Sequence, residues 1–496
     1  MNYSEVAVFI IYFLAMLGIG VYFFFRSRGG EKEYFLGSRQ MGPWVSALST
    51  GASDMSAWAL MGLPASIYAA GMGRTWIAIG LTIGCALNWI LLAPRLRRFS
   101  IAADDAITVP QYLANRFLTG SKALQFICAA IFLVAYTIYA ASSIKACGIL
   151  FNTVLGVNAS ITMYASAFII VAYTFLGGFK AVCWTDFYQA LLILAALLVA
   201  PIFALAMVNS GAGAAAGAGG SNGSLVFPEN YWSLLSSGKP DWKSWSDIIS
   251  GLGWGLGHFG MPHIIIRFMA IRTQREVKKS AAIGITWNVL ILGFSVAVGC
   301  VGRMFLGEIQ DGSLVFITMV RVIFPALISG LLLSAILAAA MSTADSQLLS
   351  SASAFVADVY KPVFRKGAKD AEMLWAGRFI VIAISVAAVL IAANPNSGTI
   401  MELVENAWGV FGAAFGPVIL LSLFWRRFTI AGAVSGIIAG AAADILWLAF
   451  LSGTGLYEIV PGFAAGTLAA ITATLSGRRP GKDVEALYDR SVLLGD

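Results

Sequence analysis

Read along its length, the chain alternates long apolar runs with short polar or Gly/Pro-rich breaks. About thirteen of the runs approach the ~20 residues that an α-helix needs to cross the hydrocarbon core of a bilayer. They lie near 3–25, 41–70, 75–94, 122–150, 158–178, 184–208, 245–262, 279–306, 323–349, 374–394, 399–424, 428–451 and 456–476. The first is read as a span and not as a cleavable leader, because no basic segment precedes it and its apolar run exceeds the usual ~7–15 residues.

Composition sharpens this into an all-α membrane protein. Of 496 residues, 59% are hydrophobic and 11% charged, and the mean hydropathy is +0.82; an ordinary soluble domain is about 25% charged. One polytopic bundle is expected, not a string of soluble domains. Five cysteines, at 85, 128, 147, 183 and 300, fall in apolar runs without a CxxC pair, which argues against both a disulfide framework and a zinc site. The net charge of +7 belongs to loops and gives no reason to expect a nucleic-acid partner. In one set of alternate loops lie 26 of the 32 basic residues, so that set is expected in the cytoplasm, with the N-terminus outside and the C-terminus inside. Lys145 falls inside a span, where a long side chain can snorkel outward. The tract Gly211–Ser224 reads as a flexible external loop with no function of its own.

Two spans are ill suited to continuous helix. STGASDMSAWALMGLP, Ser49–Pro64, carries Asp54 among hydroxyls; SWSDIISGLGWGLGHFGMPH, Ser244–His263, carries glycines at 251, 253, 255, 257 and 260 before Pro262. Glycine costs a helix interior about 1 kcal/mol and proline about 3, so the helices are expected to open there. The second and seventh spans run in opposite directions, which makes them corresponding elements of inverted repeats, the sequence pointer to a secondary transporter's binding site. Opened backbone in a membrane is tolerable only where it lines a cavity or meets a ligand. Freed carbonyls suit a hard cation, and half-helix N-termini suit an anionic group. The competing reading is that the glycines serve close helix packing.

In SAILAAAMSTADSQLLSSAS, residues Ala339, Ser342, Thr343 and Ser346 fall at i, i+3, i+4 and i+7, one face of a helix. Two hydroxyls on that face, with carbonyls from a broken span, supply oxygen ligands for sodium. Ionisable residues within spans are functional candidates. Asp54 leads them; Asp186 and Asp345 can share a cation or a proton, although Asp186 can equally pair with Lys180. Asp444 has no evident role. Only His258 and His263 are available as haem ligands, and five residues apart they point to different faces. Gly255–Gly260 fits GxGxxG literally but follows no strand, and no Walker sequence is present to drive a primary pump. A transporter-like channel or a sensor is the alternative class.

The segments SALSTGASDMSAWALMGLP, YTIYAAS, GGFKAVCWTD, GWGLGHFGMPHI, LLSAILAAAMSTADSQLL, AWGVFGAAFGPV and LYEIVPGF closely resemble, in order and over almost the whole chain, the sodium:solute symporter family and within it the bacterial sodium/proline symporters. The resemblance implies a leucine-transporter-type 5+5 inverted-repeat core with one extra N-terminal and two extra C-terminal helices. Its divisions are 1–40, 41–210, 211–243 (the external loop), 244–425 and 426–496. It implies a multi-pass protein of the inner plasma membrane, no enzyme, that imports a small solute with co-transported sodium by alternating access. Proline is the expected substrate, with another amino acid or a small carboxylate as the alternative, and a single chain can suffice.

By the same resemblance the carbonyls of Ala52, Met55 and Ala339 and the hydroxyls of Ser342 and Thr343 hold the ion. Asp54, Ser56 and Arg39 serve coupling, and Tyr139, Trp58, Trp254, His258, Pro262 and Phe411 serve the substrate. Relatives with other substrates imply a second cation or proton site at Asp186, Asp345 and Ser346. The chain departs from the proline symporters at His258, where they carry tyrosine, at Asp345, where they carry serine, and at Lys145, where they carry an aliphatic residue.

Overall fold

The computed structural model describes residues 3–26, 31–120, 122–210 and 227–493. Among them the regular structure is helical, with one isolated parallel bridge between Met41 and Ile271. Among the described residues ten helices are long and apolar enough to cross a membrane. The tract Gly211–Ser224 lies outside the described residues, and the five cysteines are free and buried.

Local chemistry sets the helix ends. Asn158, Thr273 and Thr399 each offer a side-chain oxygen to a first-turn N–H of the helix that follows, and Thr399 with Glu402 closes a capping box. One boundary matches the expected spans and one differs. The break expected between 178 and 184 falls at Gly178, whose φ of 60° divides the helical run 159–209 into two helices. A Cβ there would lie 2.8 Å from the Tyr34 ring. The span expected to end near 349 continues as helix Ala326–Phe355 and on through a π-helical stretch to Phe364. Its polar tail does not stop it, because buried hydroxyls such as Ser353 bond back to the helix's own carbonyls, here Ser350 at 2.9 Å.

The two spans expected to break do break. The first runs as Pro43–Met55, then turns at Ser56, whose φ of 46° is rare for a non-glycine residue, and resumes as Gly62–Ala70. The second runs as Trp242–Gly253, tightens to 3₁₀ over Trp254–Phe259, is extended at Met261, and restarts as Pro262–Met269 with proline in the first turn. The packing reading of its glycines also holds. A Cβ on Gly255 would lie 2.3 Å from the Gly80 carbonyl oxygen and one on Gly260 would lie 2.2 Å from that of Phe411. Glycine therefore brings neighbouring backbones together here, while the actual opening is confined to the residues before Pro262.

Beyond these breaks the two broken helices are tied at one end. Met41 N–H donates to Ala270 O and Arg272 N–H to Met41 O. Arg39 adds a clamp, with bonds to Asp105 (2.7 Å), Ser100 (3.1 Å), the Ala106 carbonyl (2.9 Å) and the Met269 carbonyl.

Candidate functional site

Where Pro43–Met55 ends, its last-turn carbonyls lose their intrahelical donors. Helix Ala326–Phe355 brings its hydroxyl face to them. Ser342 Oγ donates to Ala52 O at 2.9 Å and lies 3.1 Å from Ala339 O, and Thr343 Oγ1 lies 3.5 Å from Ala52 O. Ala52, Met55, Ala339, Ser342 and Thr343 are all fully buried. Four of the five expected ion ligands thus form one cluster of oxygens without a formal charge, and Met55 closes the same helix end.

Asp54, on the other face of that turn, reaches across to the second broken helix: its Oδ2 lies 3.1 Å from His258 Nε2, both side chains being buried. His258 Nδ1 has no hydrogen-bond partner. The pair borders an enclosed cavity of about 10 Å³, lined also by Asn88 and Asn288, room for one water. Asn88 Nδ2 donates to the His258 carbonyl at 2.9 Å, while Asn88 Oδ1 and both amide atoms of Asn288 are unpartnered. These groups went unnoticed in the sequence, where an asparagine in an apolar run carries no spacing signal.

His263 forms the second bridge between the broken helices. Its Nε2 lies 3.2 Å from the Ser53 carbonyl, which can only accept, so the ring proton sits on Nε2; Nδ1 then accepts from Tyr136 OH at 3.0 Å.

At the expected second cation site Asp186 and Ser346 both bond to Arg267. Asp186 does not pair with Lys180, which binds Glu33 (3.2 Å) and Gln40 (3.1 Å) instead. It pairs with Arg267, whose Nη2 lies 2.8 Å from Asp186 Oδ2 and 2.6 Å from Ser346 Oγ. Arg267 Nε donates to Ser49 Oγ at 2.7 Å, and Nη1 donates to the His263 carbonyl. Ser346 also contacts Asp345 Oδ1 at 3.0 Å. Arg267 is one of the 26 basic residues that the sequence places in alternate loops, yet it is 2% exposed, held on the short helix that Pro262 restarts. The missed signal was its i+4 spacing from His263 in an apolar turn.

Aromatic rings surround the expected substrate residues. Trp58 and Trp254 lie 5.8 Å apart between ring centroids, Trp254 and Tyr457 5.2 Å, and His258 and Trp408 5.2 Å. Trp408 and Tyr457 lie in the segments AWGVFGAAFGPV and LYEIVPGF but are not among the candidate site residues. The hydroxyls of Ser56 and Tyr139 are buried without a partner. Tyr139 meets the His263 ring at 6.3 Å, and Pro262 starts the helix bearing His263. Phe411 stacks elsewhere, on Tyr136 (4.4 Å), Phe132 and Phe415. Arg39 sits in the clamp already described and not beside the oxygen cluster. Lys145 does not snorkel free: its Nζ bonds Ser397 Oγ (3.1 Å) and the Gly398 carbonyl.

Comparison with known proteins places this geometry. The chain is 42% identical over 484 residues to the osmoregulated proline transporter OpuE of Bacillus subtilis, covering 96% of each chain. It is 41% identical over 480 residues to the sodium/proline symporter of Escherichia coli, covering 95% of this chain and 93% of that one. Among solved structures it shares its fold with a Na+-coupled sialic acid symporter in a substrate-bound outward-open state, with a TM-score of 0.79 at 20% identity, covering 96% of this chain and 99% of that one. The fold is also that of MhsT in complex with L-phenylalanine, with a TM-score of 0.55 at 15% identity, covering 87% of this chain and 98% of that one. The model of the sodium:solute symporter family matches residues 34–440, and with two helices broken at facing oxygens inside a bundle of apolar helices, the chain belongs to that family.

Proposed function

We propose that this chain is a sodium-coupled symporter that imports proline. The observation that carries the reading is the oxygen cluster at the end of Pro43–Met55. There Ser342 and Thr343 hydroxyls face the Ala52 carbonyl, a set of neutral oxygens that a hard monovalent cation satisfies without a buried fixed charge. The hydroxyls donate to that carbonyl. When sodium enters, they turn their lone pairs to it, together with Ala52, Met55 and Ala339. The names of the relatives, proline transporters at 41–42% identity, supply the substrate, and their class sets enzymatic chemistry aside.

The same reading takes 41–210 and 244–425 as inverted five-helix repeats, flanked by one helix before and two after, thirteen spans in all. The N-terminus is outside and the C-terminus in the cytoplasm. Asp54 and His258 then couple ion and substrate, since the pair spans the two broken helices beside both. Sodium bound at the first break stabilises the state in which Trp58, Trp254, Tyr139 and His258 receive substrate. A differential affinity of roughly 5.5 kcal/mol carries such a population from 1:99 to 99:1.

Radiolabelled proline uptake into proteoliposomes, with and without an inward sodium gradient, tests the proposal. Accumulation above the external concentration that vanishes without sodium is expected, and competition with other small amino acids and carboxylates ranks the substrates. Dissipative flux alone would indicate a channel, and saturable binding without flux a sensor.

A further inference from the structure

Trp254 opens the 3₁₀ turn of the second broken helix with a glycine on either side in the chain, so its indole is oriented by what packs against it. Three rings do so. Trp58 stands 5.8 Å away between centroids, Trp408 6.3 Å and Tyr457 5.2 Å, at interplanar angles of 33°, 31° and 35°. Trp58 and Trp408 belong to the two proposed repeats, whereas Tyr457 comes from the loop that joins helix Ile430–Leu451 to helix Ile459–Ser476, outside both. That loop is fastened to the first half of the broken helix, Trp242–Gly253. Tyr457 N–H donates to Ser250 Oγ at 2.9 Å, Ser250 Oγ to the Gly455 carbonyl at 3.4 Å, and Trp242 Nε1 to the Thr454 carbonyl at 3.0 Å. Gly253 lets the two elements close up, since a Cβ there would lie 2.5 Å from Val460 Cγ2. Tyr457 OH donates to the Glu405 carbonyl at 2.8 Å, on the helix that bears Trp408. The ring, 4% exposed, is thus held at both ends.

We propose that Tyr457 is a positioning residue for the solute: from the loop between the last two helices of the bundle it sets the Trp254 indole against which the solute is received, and so sets solute affinity. The inference rests on the solute-import reading above and extends its site to a segment outside the two repeats. The other two rings are less suited to the task. Trp58 follows the turn at Ser56, where sodium is proposed to act. Trp408 donates its Nε1 to the Trp254 carbonyl at 2.8 Å, which holds the backbone and not the indole. Tyr457, the nearest of the three, is anchored to the broken helix through its N–H and to helix Ile400–Phe424 through its hydroxyl, so it offers the indole a fixed plate. An aromatic pair stabilises beyond the area it buries, and an indole released from that pair loses the pre-organisation on which affinity depends.

The test is initial proline uptake by proteoliposomes at saturating sodium, with half-saturating proline and maximal rate per reconstituted protein read separately. Tyr457→Leu, which removes the ring, is expected to raise half-saturating proline roughly two- to tenfold while the maximal rate stays within about twofold of wild type. Tyr457→Phe keeps the ring, gives up only the bond to Glu405, and is expected to restore most of the affinity. Ser250→Ala keeps the ring but removes the acceptor of the Tyr457 N–H, and is expected to raise half-saturation about twofold. A merely structural tyrosine would lower the maximal rate and leave half-saturation where it is, and that result would overturn the proposal. Equal losses of affinity in Tyr457→Phe and Tyr457→Leu would overturn it too. Where Tyr457→Leu fails to fold, unchanged half-saturation in Ser250→Ala does so in its place. No saturable proline uptake by wild type would instead remove the import reading beneath it.

Discussion

Replacing Ser342 by alanine removes an oxygen from the cluster at the end of Pro43–Met55 and leaves the helix backbone alone. Ser342 Oγ donates to the Ala52 carbonyl at 2.9 Å, with Thr343 at 3.5 Å as a weaker second donor. With sodium bound the same oxygen becomes a ligand. A hydrogen bond or ligand contact to a charged group contributes about 1.5–3 kcal/mol, and the neutral bond lost from the ion-free state about 1. The difference, about 0.5–2 kcal/mol, corresponds to roughly a two- to thirtyfold loss of apparent sodium affinity at 1.4 kcal/mol per tenfold. Removing Thr343 Oγ1, whose bond to Ala52 is long, sacrifices less in the ion-free state, so Thr343→Ala is expected at the upper end of that range.

The assay is initial solute uptake by proteoliposomes over a sodium titration at fixed ionic strength, normalised to reconstituted protein. Ser334→Ala is the control: Ser334 is buried on the same helix, but its hydroxyl bonds its own Gly330 carbonyl at 2.8 Å. Half-saturating sodium unchanged in Thr343→Ala, or shifted equally in Ser334→Ala, would refute the reasoning.

Three further outcomes follow from other parts of the structure. Asp54→Asn weakens the bond to His258 that links the two broken helices and is expected to reduce sodium-driven uptake at least about tenfold, with unchanged yield of folded protein by size exclusion; normal uptake would separate the pair from coupling. Gly84→Val places a Cβ 2.2 Å from the Gly255 carbonyl oxygen and is expected to destabilise the fold by about 3 kcal/mol or more, whereas Gly293→Ala, with nothing within 4 Å, is neutral or stabilising; thermal denaturation in detergent compares them, and equal midpoints would contradict the packing. Asp444, buried with neither carboxylate oxygen bonded among the described residues, should tolerate Asp444→Asn within about 1 kcal/mol, read by the same melts; loss of uptake would give that carboxylate a role in transport.

The long apolar helices were legible because a bilayer demands length and hydropathy, which a sequence displays directly. The break at Ser56 was legible too, since a carboxylate and hydroxyls in an apolar run have to meet something. Positions 342, 343 and 346 could be assigned to one face from spacing alone. Other features depend on what lies opposite in space. Arg267 read as a loop charge because hydropathy cannot tell a cation entering water from one meeting a buried carboxylate 81 residues away along the chain. Lys180 and Asp186 are close in sequence, yet helix Ala159–Asn209 turns them to different partners. The glycines of Ser244–His263 carried two messages at once, backbone contact and helix opening, and only the packing of Gly80 and Gly84 separates them. Trp408 joins the aromatic enclosure from helix Ile400–Phe424 and Tyr457 from the loop before helix Ile459–Ser476, and neither position carries a spacing that marks it.

The most direct measurement is a structure of the chain determined in sodium and proline at a resolution that reveals bound cations. The account predicts a cation in coordinating contact with the carbonyl oxygens of Ala52, Met55 and Ala339 and the hydroxyls of Ser342 and Thr343, with Arg267 still on Asp186. A cation lodged anywhere else, with the Ser342–Ala52 hydrogen bond intact, would contradict it.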